Sequence, residues 1–368
     1  TLSKHILILT KKENEEIIKL TKSLDKETRS AEEYLNKNVK IAKKLALPKK
    51  ILEQIPNMQN YDKNQNIRLM RYDFHPSIDN QWVVTEVNSD CPGGFAESSL
   101  LPDLARKTIG MPELEYNSFG EKMVETINNK LNKKGTIMMV HCTCFSDDRQ
   151  VMQYLGDRLE KEGYKIIYGA ADHIQFKEKK AYCILENNQV NIDLIFRFTP
   201  LEWLIQMKPR RWDGYFNTLT LSCNHPISIY AQSKRFPLVW EDLEKAGICM
   251  ETWRKLLPET LEVKDLGLKK GFIYKPVYGR VGEKISIKEA CKDDEYEKIL
   301  QDVKKHPKQY LAQKRFQSKP LKTEDGKEYH ICLGSYTIEG EHAGYYVRMS
   351  LYPRIDSYAE DVPVLIEK

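Results

Sequence analysis

Two short stretches carry side chains able to do chemistry together. Arg71 and Asp73 stand two apart in one strand-like run, Ile67 to His75, and Glu86 and Asn88 stand two apart in the next, Trp82 to Ser89. The turn-rich Pro76 to Asn80 between them reads as the bend of a hairpin. Side chains alternate along a strand, so each pair points to one side, and pairing the strands brings all four together. Two carboxylates and an amide oxygen beside an arginine are the ligand types of a magnesium site, where hard oxygens hold an ion that also bridges phosphates. The same four residues on a solvated hairpin face would make an ordinary salt bridge, and spacing alone does not choose.

A second element is Lys275, near the end of an apolar strand from Phe272 to Val277 and followed by Gly279, Arg280 and Gly282. Backbone N–H groups of such a loop can approach phosphates closely while the lysine supplies a point charge. The spacing is not that of a Walker A loop, and glycines also occur in turns for conformational reasons alone. A third element is Arg348, in the β-rich run Gly344 to Ser350. His75 and His141 read as core or hydrogen-bonded histidines, because no second soft ligand stands at metal-ligand spacing. Cys142 and Cys144, at the end of an apolar strand, read as packing residues. Cys91, beside the hairpin, is left between a packing and a nucleophilic role.

These residues need elements to position them. Residues 12 to 47 have helically spaced apolar positions set in charge and stop at Pro48, which suggests a helical pair on the outside of the molecule. From Tyr116 to Tyr168 helices alternate with the strands Thr136 to His141 and Tyr164 to Tyr168, the pattern of a parallel α/β unit. A hairpin at Asn187-Asn188 leads to the strand Ile192 to Phe198, and the chain turns β-rich again after Leu257, with strands at 272–277, 310–316, 330–338 and 345–352. The expected architecture is a central α/β domain flanked by an α+β region made from both ends of the chain. The boundaries read as 1–110, 111–230 and 231–368.

The 368 residues suffice for two or three cores, and 41% apolar with 30% charged residues is a globular composition. The net charge of +5 is spread along the chain without an arginine-rich tail, which argues against a nucleic-acid partner. No apolar window approaches the ~18 residues of a membrane span, and the apolar start at Leu2 to Leu9 lacks a cleavage signal. The eight cysteines fit neither a disulfide framework nor a paired zinc motif, so free thiols and a cytoplasmic location are expected.

Taken in order, the motifs RYDFH (71–75), TEVNSDCPGG (85–94), LIFRFTPLEW (194–203), QSKRFPLVW (232–240), KPVYGRVGEK (275–284), YLAQKRF (310–316) and GSYTIEGEHAGYYVR (334–348) resemble the glutathionylspermidine synthase family. The resemblance covers about three quarters of the chain, from Arg71 onward. It implies a circularly permuted ATP-grasp fold with a pre-ATP-grasp α/β domain, in which the metal ligands precede the ATP lysines. It also implies an ADP-forming ligase that uses ATP and Mg2+ to join a small carboxylate to an amine such as a polyamine.

Carried over residue by residue, Asp73, Glu86 and Asn88 match the metal ligands, with Arg71 beside them. Lys234 and Lys275 match the two ATP lysines, the latter followed by the loop of Gly279, Arg280 and Gly282, and Gln313 falls at the hinge to the adenine pocket. Arg348 matches the arginine that holds the transferring phosphate. Asp147 and Asp148 fall about where the amine is received, and Glu202 falls near the acid pocket. Cys91-Pro92-Gly93-Gly94 replaces the small hydroxyl residues that hold glutathione in the family, and Met349-Ser350 replaces a carboxylate pair. A stand-alone ligase without an amidase domain is therefore expected, with glutathione left open as its acid and a homodimer left open as its state. Two rivals remain at this point: a ligase that extends peptides or loads a carrier protein, and a nucleotide-binding relative without activity.

Overall fold

In the computed structural model every residue is described except Asn60, Arg280, Val281 and Glu283, and all counts below are of the described residues. In chain order the strands begin with β1 (Leu7–Leu9), then β2 (Leu69–Pro76) and β3 (Trp82–Asn88) after the long helix α1 (Lys11–Lys37). They continue with β4 (Thr136–Val140), β5 (Lys165–Gly169), β6 (Gln175–Lys177), β7 (Lys180–Leu185), β8 (Asn188–Asn191), β9 (Leu194–Arg197) and β10 (Leu221–Cys223). The last third holds β11 (Thr260–Glu262), β12 (Phe272–Pro276), β13 (Tyr310–Lys314), β14 (Leu321–Lys322), β15 (Glu328–Ile338), β16 (Glu341–Ser350), β17 (Glu360–Val362) and β18 (Val364–Ile366).

The central antiparallel sheet has the order β17-β16-β15-β2-β3, with β14 on the side of β15. The two ends of the chain thus meet in one sheet: β2 pairs with β15 from Leu69 opposite Ile338 to Phe74 opposite Leu333. A parallel sheet, β10-β9-β4-β5, forms the expected α/β unit. The helix Phe119–Leu131 joins the two sheets: Phe119, Met123 and Ile127 share one core with Ile137 and Met139 of β4 and with Tyr336 and Ile338 of β15. A smaller antiparallel sheet, β11-β13-β12, packs with the helix Asp293–Lys305 around its own core of Tyr274, Ile299, Val303 and Tyr310. This small unit carries Lys275 on β12. Among the described residues no helix is long and apolar enough to cross a membrane.

The N-terminal region differs from the expected helical pair. It is a 27-residue helix followed, after Asn38, only by single turns at Val39–Ala42 and Lys43–Leu45, and a capping box opens it, in which Thr10 Oγ1 accepts from Glu13 N and Glu13 Oε2 accepts from Thr10 N at 2.9 Å. Nor does it lie outside. Thr21, Asp25, Thr28 and Glu32 are buried, and each finds a partner far along the chain. Asp25 accepts from Arg68 Nε at 3.3 Å, Tyr72 OH at 3.1 Å and Thr337 Oγ1 at 3.1 Å, and Arg68 Nη1 also donates to Glu32. Buried carboxylates need such pairing, and the charged helical pattern conceals it because the partners stand 36 to 312 residues away.

Candidate functional site

The hairpin delivers its four side chains as the alternation requires. Arg71 lies opposite Asn88 and Asp73 opposite Glu86 in the β2/β3 register. Asp73 is fixed from both sides. Arg71 grips it two-pronged, Nε to Oδ1 at 2.8 Å and Nη2 to Oδ2 at 3.1 Å, and Asn88 Nδ2 donates to Oδ2 at 2.9 Å. Arg71 Nη1 reaches Gly93 O at 2.9 Å, and its guanidinium lies 5.2 Å from the Tyr346 ring centre. The neighbouring strand leaves room for this: a Cβ at Gly334 would stand 2.7 Å from Arg71 Cδ.

One feature of the hairpin is invisible to simple alternation. The register shifts between Asp73 and Phe74, a bulge that places both Thr85 and Glu86 on the wall of one cleft. His75 lines that cleft too, with Nε2 3.2 Å from Thr85 Oγ1, and burial pushes its imidazole down to about 4, so it is neutral near pH 7.

The lysines converge on Glu86 from two directions. Lys234 Nζ lies 2.9 Å from Glu86 Oε2 and donates to Gly279 O at 2.6 Å, so it ties the hairpin to the loop that follows β12. Burial would raise the Glu86 carboxyl, but Lys234 and then Lys275 outweigh it and hold it at about 2. Lys275, on β12, is itself buried, and burial with Lys234 nearby lowers it to about 8 despite Glu86.

Two chambers meet at these residues. The polar one, about 740 Å³, is lined by Asp73, Glu86, Lys234, Lys275, Gly279, Gly282 and Arg348 among others. The apolar one, about 440 Å³, is walled by Val87, Phe236, Trp253, Leu257 and Leu311, with Gln313 on its wall. Thr85, Glu86, Lys234 and Lys275 line both. Gln313 Nε2 donates to Thr260 Oγ1 at 3.0 Å while its Oε1 is buried without a partner among the described residues. Arg348, on β16 opposite Cys332, donates to Asp356 O at a long 3.4 Å. Arg280, the remaining residue expected at this site, lies outside the described residues.

Asp147, Asp148, Glu202 and Cys91 are gathered elsewhere, at the carboxyl edge of the parallel sheet. Asp147 and Asp148 open the helix Ser146–Lys161 after β4, the former exposed and the latter half-buried. Glu202 lies in the short helix Leu201–Leu204 after β9, and the Phe145 and Trp203 rings, 6.2 Å apart, bring the two loops together. Glu202 also faces Tyr278, just after β12. Cys91 follows Asp90, whose carboxylate ties the end of β3 to the end of β9 by accepting from Arg197 Nη2 at 2.6 Å and from Leu201 N at 2.8 Å. Gln232 Oε1 holds the same turn by accepting from Ser89 N at 2.9 Å and Asp90 N at 3.0 Å. Sequence reading missed Thr85, Asp90, Arg197 and Gln232. An arginine inside the apolar run Leu194 to Phe198 was the available signal.

Two expectations for cysteine and histidine divide. His141 is buried, with Nδ1 3.3 Å from Met139 O, as a core histidine should be. Cys142 and Cys144 are not packing residues: β4 ends at Val140, and they fall in the following loop, half-buried and exposed. All eight cysteines are free of disulfides.

No group of three or more His, Cys, Asp or Glu among the described residues is poised to hold a metal. Asp73, Glu86 and Asn88 offer instead two carboxylates and an amide on adjacent strands, a hard-oxygen set suited to Mg2+, which takes its remaining ligands from water and phosphate.

Comparison with solved structures shows the fold in another protein. A glutathione synthetase-like effector from Globodera pallida superposes with a TM-score of 0.68 at 13% identity, covering 99% of this chain and 89% of that one. A putative gamma-glutamylcysteine synthetase from Methylobacillus flagellatus matches at 13% identity over 87% of this chain and 86% of that one, with a TM-score of 0.44. No curated protein matches. The family model described as glutathionylspermidine synthase preATP-grasp matches residues 3–367, nearly the whole chain. The fold is that of the ATP-grasp ligases, and the chain belongs to the glutathionylspermidine synthase preATP-grasp family.

Proposed function

We propose that the chain is an ATP-dependent carboxylate–amine ligase that makes an amide through an acyl-phosphate and releases ADP and phosphate. The observation that carries this reading is the meeting of an apolar and a charged chamber over Glu86, Lys234 and Lys275. A nucleotide needs that combination: an aromatic base in the first and its phosphates in the second. Gln313 Oε1, buried without a donor, would accept from the exocyclic amine of adenine. Mg2+ held by Asp73, Glu86 and Asn88 would draw charge from the phosphate oxygens. Arg71 serves as a positioning residue for Asp73, and Arg348 faces the phosphate as it passes to the substrate carboxylate.

The acid and the amine belong at the carboxyl edge of the parallel sheet, where open α/β sheets bind ligands. Glu202 and Cys91 stand on the acid side, and Asp147 and Asp148 attract the ammonium groups of the amine. Residues 111–230 are then the substrate unit, while 1–110 and 231–368 hold the nucleotide. The test is a matrix of carboxylates and amines with product masses read out. ADP and phosphate should accumulate only when both partners are present; AMP and pyrophosphate as coupled products would exclude the acyl-phosphate route.

Lys275 gives a pH signature. Its ammonium is lowered to about 8 in the nucleotide-free protein, and phosphates brought beside it raise it again. Binding of Mg·ATP at pH 8 should therefore take up a fraction of a proton, at most about half, and affinity should fall as pH rises above 8. Calorimetry in buffers of different ionisation enthalpy measures the uptake. Lys275→Arg, permanently charged, should bind without it; equal uptake in both proteins would remove Lys275 from the phosphates.

A further inference from the structure

Arg354 belongs to none of the motifs that led to the site, yet it lines the polar chamber together with Arg348, Asp73 and Lys275. It follows β16 in the segment that closes the chamber and is 13% exposed. Its donors are used unevenly. Nη1 donates to Glu295 Oε1 at 2.7 Å and to Cys291 Sγ at 3.1 Å, and Nη2 lies 3.4 Å from Asp356 Oδ2. Nε is buried and has no partner among the described residues. A guanidinium N–H kept from water and left unpaired carries its full desolvation penalty, and in a chamber built for anions an oxyanion is the group that would relieve it.

The surroundings point the same way. Glu295 lies on the helix Asp293–Lys305 of the small unit, which we read as the ATP-grasp lid, so Arg354 joins the segment after β16 to that lid. The glycine loop presses on the same segment: Gly282 has φ +68°, and a Cβ there would stand 2.6 Å from Ile355 O. Asp356 touches both arginines, its carboxylate facing Arg354 and its backbone oxygen accepting from Arg348. The two arginines are thus held by one residue at one chamber. Within the chamber Glu86 faces Lys234 and Asp73 is gripped by Arg71, while Glu295 and Asp356 pair with the two Nη groups of Arg354 and leave its Nε–H for a ligand.

We propose that Arg354 is a second ligand of the terminal phosphate, with Nε–H donating to a γ-phosphate oxygen while Nη1 keeps its hold on the lid through Glu295. This rests on the ATP-ligase reading, but its test needs neither the acid nor the amine. The full chain and the variants Arg354→Met, Arg354→Lys and Glu295→Gln are titrated calorimetrically, with Mg2+ present, against a β,γ-imido analogue of ATP and against ADP. Both Arg354 variants should weaken the imido analogue about 10- to 100-fold, the range for a hydrogen bond to a charged group, and leave ADP binding unchanged, which also certifies their fold. Lysine fails because it lacks the Nε of the planar fork. Glu295→Gln, which loosens the hold on Arg354, should weaken the imido analogue no more than the Arg354 variants do and leave ADP binding unchanged. Equal losses for both nucleotides, or no loss at all in the Arg354 variants, would overturn the proposal and leave Arg354 as a lid contact. An unmodified chain that bound neither nucleotide would overturn the ligase reading itself.

Discussion

Glu86→Gln is expected to reduce ADP formation to about one-thousandth or less while the protein stays folded. The magnitude follows from what one carboxylate does here. It faces Lys234 at 2.9 Å, lies on both chambers and is held ionised by the two lysines. A metal held here would stabilise several kcal/mol of developing charge, and about 4 kcal/mol is a thousandfold in rate. Glutamine keeps the shape and removes the charge. Lys234 retains its bond to Gly279 O, and the strand register is untouched, so circular dichroism should match the parent. A magnesium titration separates the effects: activity that returns only at high Mg2+ supports metal holding, and normal turnover at ordinary Mg2+ would remove Glu86 from the site.

The second large effect is expected at Arg348. Its guanidinium faces the polar chamber, and its bond to Asp356 O is long, so little protein structure depends on it. A preorganised donor aimed at charge in flight is worth about 10²–10³ in rate. Arg348→Ala should therefore lower kcat at least about a hundredfold, and Arg348→Lys should do nearly the same because the planar fork is lost. Affinity for ATP without acceptor should change little, in contrast to the effect expected at Arg354. Calorimetry beside steady-state rates distinguishes them: a rate loss explained wholly by weaker ATP binding would assign Arg348 to the ground state.

The parts of this molecule legible in the sequence are those governed by short-range periodicity. Alternation in Arg71/Asp73 and Glu86/Asn88 foretold the hairpin, because both strands are local and their turn is short. The parallel sheet followed from the helix–strand rhythm between Tyr116 and Tyr168. What escaped depends on partners distant in sequence. Asp25 and Glu32 look like solvated helix charges until Arg68 and Thr337 are placed against them. Asp90 looks like a loop residue until Arg197, 107 positions on, reaches it. The bulge before Phe74 shifts Thr85 onto the cleft with no distinctive residue to mark it. Arg354 stayed hidden because its significance lies in one unpaired nitrogen, which only side-chain packing reveals.

The central claim is that a substrate carboxylate is phosphorylated before the amine attacks. Once an active pair is found, the acid is supplied with 18O in its carboxylate and the released phosphate is examined by mass spectrometry. Phosphoryl transfer to the carboxylate, followed by amine attack at carbon, leaves one carboxylate oxygen on the phosphate, so one 18O per phosphate is the predicted result. Phosphate free of label, formed together with the amide, would contradict the account.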